Sequence, residues 1–282
     1  MKDYLIICLC LLTTIGTVRA QNLEAGFFLG ASNYQGDLQP THFLFGESKV
    51  AYGGFIKYRV LESLSLRASI TKGTISGEDF NSTINSGRRS RNLNFRSDIL
   101  DFGLQAEFHP LSISSGERKI ISPYLMGGIN GFTFNPEAFH VDRYYALAPL
   151  GTEGQYLEGS GVSPYSRFQI AIPAGIGVEL KISDYNSIAL EFGIRKTFTD
   201  YIDDVSGYYP DLGQLAELDP LAATLSFRTV DNSGEPLAFP AQGAKRGNPD
   251  AKDLYYFFGV NFSFNINNVL NLGGGPEDYS VF

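Results

Sequence analysis

Residues 166–182, SRFQIAIPAGIGVELKI, alternate with period two. Phe168, Ile170, Ile172, Ala174, Ile176, Val178, Leu180 and Ile182 share one parity, and Arg167, Gln169, Ala171, Gly175, Gly177, Glu179 and Lys181 share the other. Successive side chains point to opposite sides only in an extended chain, so the pattern demands a strand with one apolar face. The next stretch repeats it: Ile188, Leu190, Phe192, Ile194 and Phe198 oppose Ala189, Glu191, Gly193 and Arg195, after a tight turn at Asp184-Tyr185-Asn186. Six further segments behave alike, near 22–32, 50–60, 64–74, 93–108, 122–134 and 253–266. Each of the eight has about the 9–11 residues that a tilted strand needs to cross a bilayer. The links alternate too. Short ones fall around 61–63, 109–119 and 183–186, and long ones around 33–49, 75–92, 135–165 and 200–252. Short periplasmic turns and long outer loops are the outer-membrane barrel pattern. In the last loop Asp219-Pro220 reads as a helix start, which predicts a short surface helix over Leu221 to Phe227.

Residue size decides which face meets lipid. One parity carries Leu, Ile, Phe and Tyr along nearly every strand. The other carries Gly53, Ser69, Gly103, Ala171, Gly175, Gly177, Ala189, Gly193 and Gly259 with single charges between them. An eight-stranded barrel is barely wide enough for its own side chains, so the small face fills it and the bulky apolar face turns outward. Closure is then obligatory, because an open edge would leave unpaired amides in hydrocarbon. The fold class is therefore all-β: an eight-stranded antiparallel transmembrane barrel with long extracellular loops and short periplasmic turns. Inside it, Lys57, Arg59, Arg67, Lys181 and Arg195 can pair with Asp101, Glu107, Glu179 and Glu191. A charge-paired plug is expected there, and no conducting pore, because water-filled channels need more strands.

The chain opens with MKDYLIICLCLLTTIGTVRAQN, in which Lys2, the apolar run Leu5 to Val18 and Val18-Arg19-Ala20 read as a cleaved secretory signal. The expected division is a signal over 1–20, the barrel over 21–266 and a periplasmic tail over 267–282. Both cysteines, Cys8 and Cys10, lie in the signal, so the mature chain has neither disulfides nor thiol chemistry. Losing the signal moves the net charge from -8 to -9. An acidic exported chain repels phosphates, which argues against a nucleic-acid partner. The expected location is the cell outer membrane, with its lipid as the first partner.

Little in the sequence suggests catalysis. His42, His109 and His140 lack metal-ligand spacing, and neither G-x-S-x-G nor a phosphate loop occurs. No cofactor is expected, nor enzyme activity. The enzyme alternative is lipid A modification, with His140 and Ser166 near the outer rim. The basic run Arg88, Arg89 and Arg91 fits either a solvated loop tip or a contact with anionic lipopolysaccharide. In RKTFTDYIDDVSGYY (195–209), Asp200, Asp203 and Asp204 follow the end of a strand. They read as the wet start of the longest loop, where carboxylates avoid hydrocarbon. Tyr201, Tyr208 and Tyr209 suit the interface beside them. No metal is expected. A calcium site on the three Asp is the alternative, without the D-x-[DN]-x-[DN]-G spacing of an enclosing loop. The polar and aromatic density suits a folded loop over the barrel mouth.

NYQGDLQP (33–40), RNLNFRS (91–97), SPYLMGGINGFTFNP (122–136), PLGTEGQ (149–155) and RKTFTDYIDDVSGYY (195–209) together make the chain resemble the PorG-like outer-membrane proteins of the type IX secretion system. The resemblance runs over nearly the whole mature chain. It implies an eight-stranded barrel that sits with PorK-like and PorN-like periplasmic ring proteins in a machine for protein secretion and, in some bacteria, gliding motility. It carries no catalytic residues. A plain surface or adhesion barrel is the remaining alternative. The tail NNVLNLGGGPEDYSVF offers a periplasmic contact, and its final Phe282 stands well past the last strand.

Overall fold

The computed structural model describes residues 23–39, 45–82, 87–115, 118–183, 185–231 and 233–266. The signal, His42 and the tail 267–282 lie outside the described residues. The strands are β1 (Leu23–Gln35), β2 (Lys49–Leu61), β3 (Leu64–Glu78), β4 (Asn94–Phe108), β5 (Ile113–Ser115), β6 (Arg118–His140), β7 (Arg143–Ala146), β8 (Phe168–Lys181), β9 (Asn186–Thr197) and β10 (Leu254–Asn265). Three short helices are α1 (Gly87–Arg91), α2 (Leu212–Leu218) and α3 (Pro220–Ser226).

Every neighbouring pair is antiparallel. The order β4-β3-β2-β1-β10-β9-β8-β6 closes on itself through β4–β6. Eight strands thus cross, and no edge amide is left facing lipid. The small β5 and β7 pair only with β6. No helix of the described residues is long and apolar enough to cross a membrane, so the crossing is made by strands.

The outward parity is the one expected. Leu29, Tyr52, Ile56, Ile70, Leu104, Ile129, Ile176 and Leu190 stand exposed on the outer wall. Along β3 this belt runs from Leu64 to Lys72. Tyr52, Lys72, Leu100, Thr133 and Phe168 lie in one register row that marks its upper limit.

Below that row the interior is a plug of charges. Lys57 Nζ reaches Glu179 at 2.8 Å and Glu24 at 3.0 Å. Arg67 Nη1 reaches Glu191 at 2.7 Å and Glu107 at 2.9 Å. Arg59 Nη2 pairs with Glu24 at 3.0 Å. Glu24, on the inward parity of β1, is a partner the sequence reading left out. Arg195 Nε stands 4.0 Å from Asp101, and its guanidinium lies over the Phe257 ring. Lys181 is half-buried and joins none of these pairs. Glycine is needed where the ring of Tyr124 crosses the wall: a Cβ on Gly177 would fall 2.2 Å from Tyr124 Cζ.

Above the same row the interior changes character, which corrects the expectation of small and charged residues throughout. Phe95, Ile99, Phe132, Phe134, Ile75, Tyr34, Tyr255 and Phe257 form one buried cluster. The reason is the solvent outside. Where the wall meets hydrocarbon, apolar side chains turn outward; where it rises into water, they turn inward as in a soluble barrel. On β4 the apolar parity switches between Ile99, fully buried, and Leu100, exposed.

Candidate functional site

The long outer loops condense into a cap over the aromatic interior. Asp219 accepts from the backbone N–H groups of Leu221 (2.8 Å) and Ala222 (3.1 Å) and so starts α3, with Pro220 at the first position. Asp211 does the same for α2 through Gln214 N at 3.0 Å. Helix α3 matches the expected one within a residue or so, whereas α2 was not foreseen. The two helices bury Leu212, Leu215, Ala222 and Ala223 against Tyr209 and Phe227.

At the heart of the cap are Asp200, Asp203 and Asp204, and here the sequence reading is overturned. All three are buried, not solvated. The chain turns back over the barrel mouth after Thr199, so these carboxylates point into protein and must find donors there. Tyr34 donates its hydroxyl to Asp203 across 169 positions of sequence. Tyr165 Oη donates to Asp204 Oδ1 at 2.6 Å, and Thr152 Oγ1 donates to its other oxygen. Ser206 Oγ donates to Asp200 Oδ2 at 2.7 Å. Asp204 also holds a positive φ of 62°, a left-handed geometry that Asp tolerates better than most residues.

Two arginines tie the segments of the cap to one another. Arg246 donates to Glu153, to the Asp204 carbonyl at 2.7 Å and to the Ser226 carbonyl at 3.4 Å. Arg91 forks onto Asp79 at 2.7 and 2.8 Å and reaches the carbonyls of Arg246 (2.9 Å) and Asp37 (3.1 Å). Arg91 is therefore neither a solvated tip nor a lipopolysaccharide contact. Arg89, in contrast, lies over the Phe80 ring. The tyrosines are not interface anchors either. Tyr201 stacks on Tyr165 with centroids 4.7 Å apart, Tyr209 packs edge-on against Phe227, and Tyr208 alone is exposed, on the cap.

The other sequence candidates do not come together. His140 ends β6 beside Tyr145, while Ser166 bonds locally to Phe168. Thr133 is level with Phe168, so Ser166 falls opposite about position 135, and His140 stands roughly 16 Å further along the strand. His109 donates or accepts through Nδ1 with Ser122 Oγ at 2.9 Å, at the opposite end of the barrel. Among the described residues no group of three or more His, Cys, Asp or Glu side chains is arranged to hold a metal ion.

Burial shapes the titration of the cap. It pushes the carboxyls of Glu153 and Asp200 up to about 7. It also holds Asp37, Asp203, Asp204 and Asp253 above the ordinary carboxylate range, with mutual repulsion adding to the effect at Asp203 and Asp253. The same groups titrate near about 4 in an unfolded chain. Between those values the folded cap binds more protons than the unfolded one, so its stability falls as pH rises from about 4 to about 7. Limited proteolysis of the 200–253 loop is accordingly expected to be slower at pH 5 than at pH 8. Equal rates would contradict the burial of these acids.

The closed ring, the apolar belt and the plugged interior define an integral outer-membrane β-barrel with eight crossing strands. The chain belongs to the DUF6089 family, a domain of unknown function, whose model matches residues 2–219. No curated protein matches its sequence. Among solved structures it is similar to Neisserial surface protein A (6% identity, TM-score 0.40, covering 86% of this chain and 97% of that one). It is also similar to the N-terminal barrel domain of Pseudomonas aeruginosa OprF (10%, 0.34, 86% and 98%). A third is Ail of Yersinia pestis, solved with the heparin analogue sucrose octasulfate (8%, 0.36, 86% and 99%). The fold assignment rests on the hydrogen-bonded ring and its belt, not on these likenesses.

Proposed function

We propose that the protein is a structural, non-catalytic barrel serving type IX protein secretion as an accessory, with PorK-like and PorN-like ring proteins as its periplasmic partners. One observation carries the reading. The five stretches on which the PorG-like resemblance rests converge in space: Tyr34, Leu93, Phe95, Phe132, Phe134, Thr152, Glu153 and Asp203 all contribute to the cap or the aromatic core beneath it. They are the parts of one built object, so their joint presence is a single structural signature rather than five short coincidences. The charge plug supports a scaffold rather than a conduit. Affinity purification of the tagged protein from solubilised membranes of a bacterium that has the secretion system should recover the ring proteins; recovery of neither removes the secretion role. The lipid A profile of a deletion strain should be unchanged.

A surface or adhesion barrel is the second reading, and it is favoured by the cap itself, a folded head on the outer side. It predicts that substituting exposed cap residues, with the turns intact, abolishes function while the ring proteins are irrelevant to it.

A further inference from the structure

On the outer wall, where the apolar belt ends, an open groove of about 500 Å³ runs from β3 to the start of β8. Small-ligand sites have volumes of this order. Its wall includes Lys72, Asp98, Leu100, Asn135, Arg167 and Phe168, so two bases, one acid and apolar side chains share it. We propose that this groove holds the headgroup of the phosphorylated glycolipid of the outer leaflet, with Lys72 and Arg167 on phosphate and Asp98 on sugar hydroxyls.

Three features carry the assignment. The first is height. Lys72 is level with Leu100, Thr133 and Phe168, the row that bounds the belt. Just below it the exposed rings of Phe102 and Phe168 stack with centroids 6.1 Å apart. They close over Gly131, where a Cβ would fall 3.0 Å from each ring. Charge above and an apolar shelf below match a headgroup with its acyl chains attached, whereas a free anion would leave the shelf unused. The second is charge. Lys72 and Arg167 are both exposed. Arg167 donates from Nη1 to Asn135 Oδ1 at 2.8 Å, a neutral partner that leaves the guanidinium charge uncompensated. Lys72 enters no ion pair among the described residues. Arg96, further up β4, is by contrast taken up by Glu137 at 2.8 Å and by the Tyr144 ring. Two bases against the one acid leave the wall net positive, which favours an anion. Asp98 Oδ1 already accepts from Thr74 Oγ1 at 2.7 Å, and a carboxylate has room for further hydroxyl donors. The third is span. From β3 through β4 and β6 to β8 the two bases stand three strand spacings apart, about 14 Å along the backbone row. That distance accommodates a sugar headgroup between them, more than a single phosphate fills.

The test uses the full chain, fluorescently labelled in a non-ionic detergent, titrated by thermophoresis with mixed micelles of lipid A. Dephosphorylated lipid A and phosphatidylglycerol are titrated in the same micelles. Saturable binding of lipid A is expected, at least about tenfold tighter than binding of its dephosphorylated form. Lys72→Gln and Arg167→Gln alter exposed residues and should each weaken lipid A about fivefold, and about twentyfold together. Arg96→Gln removes a base that is already paired and should leave the affinity within about twofold. Equal binding of dephosphorylated lipid A, or unchanged affinity in both single variants, would overturn the assignment. So would phosphatidylglycerol binding as tightly as lipid A, or Arg96→Gln weakening it as much as the other two, since either would make the attraction a diffuse one for anionic lipid. The readout is binding by the isolated barrel, so its failure leaves the secretion reading untouched, and loss of the ring proteins leaves this one untouched.

Discussion

Arg67→Met should destabilise the barrel by about 3–5 kcal/mol, the cost typical of removing one member of a buried ion network. Arg67 is buried within the membrane-spanning part of the wall. It is the cation shared by Glu191 (2.7 Å) and Glu107 (2.9 Å), and it lies over the Phe55 ring. Without it Glu191 keeps only neutral donors, Tyr124 Oη at 2.7 Å and Asn261 Nδ2 at 2.9 Å. Glu107 keeps Lys57 at 3.7 Å, and that ammonium is already nearer to Glu179 and Glu24. Two carboxylates would then sit in a low-dielectric interior without adequate compensation. Because the damage is the stranded charge and not the lost methylenes, adding Glu191→Gln to Arg67→Met should restore part of the stability. Urea unfolding in micelles, followed by the gel shift between folded and unfolded barrel, measures both. A loss below about 1 kcal/mol would mean that water reaches the network and screens it.

Arg246→Met should release the cap while leaving the membrane-spanning half intact. The guanidinium is buried and satisfies Glu153, Asp204 and Ser226, residues brought from three separate segments. Its removal strands Glu153 and opens two backbone acceptors, again worth about 3–5 kcal/mol, but charged to the loops. The plug below is ionic and the core above is aromatic, and the two meet where Arg195 lies over Phe257 and Tyr255 Oη donates to Asp101 at 2.6 Å. Protease added to folded protein in micelles is expected to cut within 200–253 much faster in the variant, with the unfolding midpoint of the barrel nearly unchanged. A parallel fall of both would show that cap and barrel open as one unit.

The wall of this molecule was legible because alternation is a local property. Each strand announces its two faces in its own residues, and the width of an eight-stranded tube then decides which face is outside. Helix α3 was legible from Asp219-Pro220 for the same reason. Helix α2 had a comparable signal in Asp211 followed three residues on by Gln214, a capping pattern that went unused. The cap's interior was not legible, since it depends on meetings such as Tyr34 with Asp203 and Glu153 with Arg246 that no short window contains. Reading Asp200, Asp203 and Asp204 as solvated was reasonable from charge alone and failed for want of those partners. One local clue did exist. In β4 the apolar parity reverses between Phe95 and Ile99 on one side and Leu100, Phe102 and Leu104 on the other. A reversal without a turn means that the solvent, not the strand, has changed.

That reversal also fixes immersion depth. Were the barrel to sink by one pleat, Asp98 and then Arg96, both facing out on β4, would follow Leu100 downward into the acyl chains. A basic residue carried to mid-bilayer costs about 2–4 kcal/mol, and less near the headgroups. Were it to float upward, Leu66, Phe108 and their neighbours would be wetted. The polypeptide is thus gauged against the bilayer from both directions, and its outer head stands at a set height over the lipid.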